Sequence, residues 1–116
     1  MKESRLPPDD LLVALKADLF DARELLLRHG ERPISARIAE LLQRLASGDM
    51  SALHSVIAEA TGGMGSLNDR LLSAANGDSI EPWQEARVNQ QLGELVGAIR
   101  DRAQAARSAA RQGGGR

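Results

Sequence analysis

The run Leu11–Gly30, LLVALKADLFDARELLLRHG, decides the fold class. Leu12, Leu15, Leu19, Ala22 and Leu26 recur at alternating steps of three and four, the period of one face of an α-helix, and Leu11, Leu25 and Leu27 widen that stripe. Upstream, Pro7-Pro8-Asp9-Asp10 puts proline and acid into a first helical turn, where a missing N–H is harmless and the helix dipole favours negative charge. Downstream, Arg28-His29-Gly30 ends the helix with basic groups and a glycine suited to the left-handed cap.

The same grammar continues outward. Pro33 opens a second helix with Ile34, Ile38, Leu41, Leu42 and Leu45 on one side and Arg37, Glu40 and Arg44 facing out. Ser47-Gly48-Asp49 closes it and starts a third, striped by Met50, Leu53, Ile57 and Ala60. A short fourth helix is expected over Leu67, Leu71, Leu72 and Ala75, begun by Ser66 and Asp69 as a capping box and ended by Asn76-Gly77. The fifth starts near Pro82 and carries Val88, Leu92, Leu95, Ile99, Ala103, Ala106 and Ala110 up to the Gly113–Gly115 run. Leu and Ala together supply 35 residues against ten of Val, Ile and Thr, a balance that favours helix over strand. With 116 residues in all, the expectation is an all-α, single-domain four- or five-helix bundle with long first and last helices. Residues 1–7 are expected to be a flexible N-terminus, 8–111 the bundle, and 112–116 a flexible glycine-rich tail.

Composition narrows the chemistry. With no Cys there are no disulfides, thiolate nucleophiles or thiolate metal sites, and two His without any Tyr leave few acids or bases for catalysis. No stretch approaches the roughly 20 apolar residues of a membrane span, and the start lacks a signal-peptide pattern, so a cytoplasmic protein without membrane attachment is expected. Net charge is −1, but residues 100–116 carry +4 while the body is acidic. Arg100, Arg107 and Arg111 fall on one side of the last helix, yet no aromatic lies among them and three or four phosphate contacts bind weakly at physiological salt, so nucleic acid is not the expected partner.

One loop stands apart. Gly62-Gly63-Met64-Gly65-Ser66-Leu67-Asn68-Asp69 gathers three glycines, an exposed-looking Met and short polar side chains at the expected start of a helix. Glycines at positive φ turn successive N–H groups toward one point, and a helix start adds positive potential, so Gly62, Gly63, Met64, Gly65, Ser66, Asn68 and Asp69 form the candidate ligand or partner loop. The spacing is not that of a P-loop or a dinucleotide loop, no Lys is near, and Asp69 would repel phosphate. The plainer reading is a sharp helix crossing whose polar side chains bond the local backbone, and it is the one the residues favour.

This octapeptide, with Arg28-His29-Gly30-Glu31-Arg32 before it and Gly48-Asp49 between, resembles a family of small bacterial domains of unknown function that carry a GGMGS(L/F)ND signature. The resemblance spans most of residues 10–105. Two positions depart from that pattern: Arg70 follows the ND pair where an apolar residue is usual, and Ile34 stands where an aromatic often opens the second helix. The resemblance implies no activity, cofactor or site residues.

Other constellations read as structure. His29 and His54 lack partners at ligand spacing, so no metal site is expected, and His29 is read as a cap for terminal carbonyls. Asp18, Asp21 and Glu24 are interleaved with Lys16, Arg23 and Arg28 and read as a solvated face with pairs such as Glu24 to Arg28. Phe20 and Trp83, the only aromatics, are expected to anchor the core, with a partner contact at Trp83 as the alternative. A helix from Pro82 to Ala110 is about 43 Å long against a globule about 35 Å across, so Ala103, Ala106 and Ala110 are expected to overhang and support a weak, salt-sensitive homodimer. The sequence thus points to a non-enzymatic interaction or regulatory module, an immunity-type partner being one form, with no catalytic residues, no cofactor and an unnamed protein partner. The alternative is a small-ligand or anion-binding domain, or an unrecognised enzyme, using the loop.

Overall fold

Four helices carry the chain: α1 (Pro8–Arg28), α2 (Arg32–Ala46), α3 (Ala52–Thr61) and α4 (Glu85–Gly114). The computed structural model describes residues 8–114. The expected flexible N-terminus, 1–7, lies outside the described residues, as do residues 115–116 of the expected tail. Most of the stripes read from the sequence become the core: Leu15, Leu19, Ala22 and Leu26 of α1, Ile38 and Leu41 of α2, Leu53, Ile57 and Ala60 of α3, and Val88, Leu92 and Ile99 of α4 are buried together, joined by Val56 and Val96, which the stripes left out. The result is an all-α bundle with long first and last helices.

α1 packs against both α2 and α4, α3 packs on α4, and α2 and α3 also touch, so the four helices close into a bundle. α1 and α4 run antiparallel, because Asp18 at the middle of α1 pairs with Arg102 in the second half of α4, while Leu25 and Arg28 at the end of α1 share a surface with Gln91 and Leu95 nearer the start of α4. The connections form where expected. At the end of α1, Glu31 N–H donates to Leu26 carbonyl (2.9 Å) and Gly30 N–H to Leu27 carbonyl (3.1 Å), a Schellman cap that requires the positive φ of Gly30 (+85°). The Ser47-Gly48-Asp49 turn repeats these bonds at the end of α2, with Asp49 N–H on Arg44 carbonyl at 2.9 Å.

Three expectations are corrected. The short fourth helix is absent: Leu67–Asp69 and Ala74–Asn76 are single 3-10 turns with extended chain between them, and a third such turn, Pro82–Gln84, precedes α4. The cause is tertiary. Asn89 of α4 takes both backbone groups of Leu72, donating to its carbonyl and accepting from its N–H, each at 2.8 Å, while Asp78 accepts from Ser73 N–H and Glu85 from Ala74 N–H. With its donors claimed by these side chains, the segment cannot close an i to i−4 ladder. Leu67 and Leu72 are buried, a spacing of five that fits no helical face, and Leu71 points out.

The overhang is the second correction. The molecule is elongated, 51 × 32 × 22 Å, instead of spherical, and α1 runs alongside the far half of α4. Ala103 and Ala106 are therefore buried within the chain itself, while Ala110 stays exposed. The aromatics are the third: Phe20 is 50 % and Trp83 79 % exposed. Phe20 sits on the outer face of α1 with Val13 and Leu27, each seven residues away and also exposed, because the inward positions are filled by leucine.

Asn89→Ala should cost about 1 to 3 kcal/mol, since it leaves the backbone N–H and carbonyl of a fully buried residue without partners. Urea denaturation followed by circular dichroism measures this, and the loss should exceed that of Gln90→Ala on the exposed side of the same helix.

Candidate functional site

The loop begins where α3 ends. Thr61 Oγ1 donates to Ile57 carbonyl (2.7 Å) and Gly62 N–H to Ala58 carbonyl (2.8 Å), and the chain then turns away in extended conformation at Gly62. A side chain at Gly62 is sterically barred, because its Cβ would stand 2.5 Å from Ala58 carbonyl oxygen. The loop then bonds to itself. Gly63 carbonyl accepts from Ser66 N–H (3.0 Å) and from Ser66 Oγ (2.7 Å), Gly62 carbonyl accepts from the Asn68 amide (3.2 Å), and Asp69 Oδ2 accepts a long bond from Gly65 N–H (3.4 Å). Ser66 reaches back to Gly63 instead of forward to Asp69, so the expected capping box does not form.

Two residues outside the loop lock it. The Arg37 guanidinium of α2 forks onto Glu59 of α3, with Nε to Oε2 at 2.8 Å and Nη2 to Oε1 at 3.1 Å, and the same Nη2 donates to Gly65 carbonyl at 2.8 Å. Glu59 Oε1 also accepts from Leu67 N–H at 2.9 Å. Burial by itself would push the Glu59 carboxyl up, but the Arg37 hydrogen bonds and charge together with the Leu67 N–H outweigh it and hold the group below the usual carboxylate range. Sequence reading placed Arg37 on an outward face and passed over Glu59. Both stand at the border between the apolar stripe and the solvent side of their helices, which is the one signal that could have paired them.

These bonds bear directly on the anion-binding alternative. The N–H groups of Gly65, Ser66, Leu67 and Asp69 are engaged by the loop and by Glu59, and two carboxylates, Glu59 and Asp69, already occupy the places where an anion would sit. What the loop offers instead is Met64, 97 % exposed at its apex. On one side of Met64 lies an open hollow of 410 Å³ walled by Arg37, His54, Ala58 and Glu59; on the other, one of 180 Å³ reaches Ile34, Asp69 and Arg70. Of the seven expected loop residues, Gly62, Gly63, Gly65, Ser66, Asn68 and Asp69 thus build the scaffold and Met64 is presented by it.

The remaining candidates are dispersed. His29 is buried and, since a carbonyl can only accept, its Nδ1–H donates to Ser79 carbonyl (2.7 Å), while its own carbonyl accepts from Ser79 N–H (2.9 Å). It ties the end of α1 to the chain entering α4 and does not cap its own helix. His54 is exposed at the rim of the larger hollow. Asp18 pairs with Arg102 and Glu24 with Arg23, in place of the expected Glu24 to Arg28 pair. Among the described residues no group of three or more His, Asp or Glu is placed to hold a metal ion, and no helix is long and apolar enough to cross a membrane.

In a comparison with family models, residues 27–81 are similar to a family described as Domain of unknown function (DUF6966). The matched stretch takes in the His29 tie, α2, α3 and the whole locked loop, and it leaves out almost all of α1 and all of α4. No curated protein and no solved structure matches the chain.

Gly65→Val should destabilise by about 1 to 3 kcal/mol, because Gly65 has φ +85° although the space around it is open. An unchanged urea midpoint would contradict that. Glu59→Gln should cost about 1 to 3 kcal/mol by weakening the Arg37 fork. It should also flatten the acid side of the stability curve. A carboxyl depressed in the folded state contributes stability above its unfolded value, 4.5, and loses it as pH falls through the lower folded value, and glutamine has no such proton to take up.

Proposed function

We propose that the chain is a non-enzymatic protein-interaction module of regulatory type that docks its partner through Met64 and the surface around the Gly62–Asp69 loop. The observation that carries this reading is Met64 itself, a long apolar side chain 97 % exposed on a loop held by bonds within itself and to Arg37 and Glu59. A flexible thioether on a rigid mount adapts to a partner pocket at little ordering cost. The distribution of aromatics supports it: the one Phe and one Trp of the chain are turned outward, and aromatic residues are enriched at protein interfaces. The engaged amides and the two carboxylates of the loop disfavour the small-anion alternative, and the absence of Cys suits a cytoplasmic setting.

A photo-crosslinking amino acid at position 64, expressed in the source cell, tests the reading. A discrete protein adduct that does not form from position 104 is expected, and it should be lost from a chain also carrying Phe20→Asp only if that aromatic shares the partner. Met64→Asp should leave the thermal midpoint within a degree or two, because the side chain touches solvent on nearly all sides. Absence of any adduct specific to position 64 contradicts the proposal.

A further inference from the structure

We infer that the groove beside the loop, between the segment Leu67–Leu71 and α4, seats an acidic helical segment of the partner protein. This rests on the interaction reading above and names the chemistry of what that surface takes. The groove has a volume of 130 Å³ and is walled by Asn68, Arg70 and Leu71 on the loop side and by Gly93, Gly97 and Arg100 on α4. Arg70 also borders the hollow beside Met64, so the two surfaces are continuous.

The charges lining it are of one sign. Arg70 and Arg100 are its only ionisable residues, and no carboxylate lines it. Neither arginine is fully engaged. Arg70 has one long ion pair, 3.4 Å to Glu31, and Arg100 uses its Nε on the exposed Asp101 at 3.2 Å. Guanidinium groups with unused donors in a carboxylate-free hollow favour carboxylates, which they bind by parallel hydrogen bonds. Leu71, 58 % exposed on the rim, supplies the apolar contact.

The floor says what shape fits. Gly93 and Gly97 lie one turn apart in the middle of α4, where glycine weakens a helix relative to alanine. The chain itself gives no reason for them: neither has a positive φ, a Cβ at Gly93 would meet nothing within 4 Å, and one at Gly97 would meet only Arg100 Nη2 at 3.7 Å. Removing the side chains at i and i+4 deletes a ridge from the helix surface and leaves a channel for the ridge of a crossing helix. A helix laid there brings acidic residues to Arg70 and Arg100 and an apolar residue to Leu71.

Selection of a displayed library of random helical 16-residue peptides against the full-length chain tests this. Enriched peptides should carry Glu or Asp with apolar residues three or four positions away, bind more weakly as salt rises, and lose at least tenfold in affinity to both Arg100→Glu and Gly93→Leu. The leucine variant is informative because it should raise the thermal midpoint while abolishing binding. Peptides without acidic enrichment, binders indifferent to both groove variants, or no enrichment over an unrelated helical bundle overturn the proposal. Binders lost on Met64→Asp yet indifferent to the groove variants overturn the groove and leave the loop reading standing.

Discussion

The backbone between Gly62 and Gln84 crosses a helical bundle without a hydrogen-bond ladder of its own, and its peptide groups must be satisfied by side chains that the helices lend it. Glu59, Asn89 and Glu85 accept its N–H groups, as does its own Asp78, Asn89 and Arg37 donate to its carbonyls, and His29 holds its far end at Ser79. Every helix contributes a side chain or a terminus to this arrangement except the inner face of α1, which is given over to leucine packing. Leu67 and Leu72 can then be driven into the core from a segment that is not helical.

That constraint also explains why the surface looks as it does. A loop locked by the Arg37–Glu59 fork needs no apolar anchor at its apex, which leaves Met64 outside, and a segment held extended by Asn89 turns Leu71 outward beside the glycine floor of α4. The exposed apolar groups near the loop are therefore products of a rigid scaffold. The family-model match covers this scaffold from residue 27 to residue 81 and stops before α4, so the glycine pair that completes the groove lies in the part of the chain outside the match.

Much of the fold was legible because helices announce themselves locally. The leucine stripe of α1, the glycine stops at Gly30 and Gly48 and the long stripe of α4 all depend on neighbours a few residues away, and all four α-helices stand where their stripes put them. What was not legible depends on partners far along the chain. Leu67, Leu71 and Leu72 carry a passable helical pattern that Asn89, 17 residues beyond Leu72, overrides. The Arg37–Glu59 fork joins residues 22 apart. Phe20 and Trp83 were misread because apolar character alone does not say which side of a helix or turn the core will occupy, and leucine had already filled it. The loop residues bond to one another, and their arrangement around Met64 follows only from bonds that spacing cannot reveal.

The central claim is that Glu59 and Arg37 make an irregular loop as firm as the helix it follows. Amide hydrogen exchange at Leu67, whose N–H is bonded to Glu59 Oε1, tests it most directly. Protection within tenfold of the α3 amides Val56 and Ala60 in the full chain, falling selectively at Leu67 in Glu59→Gln, is the predicted result. A Leu67 amide that exchanges at the rate of an unfolded chain while α3 stays protected would contradict the account.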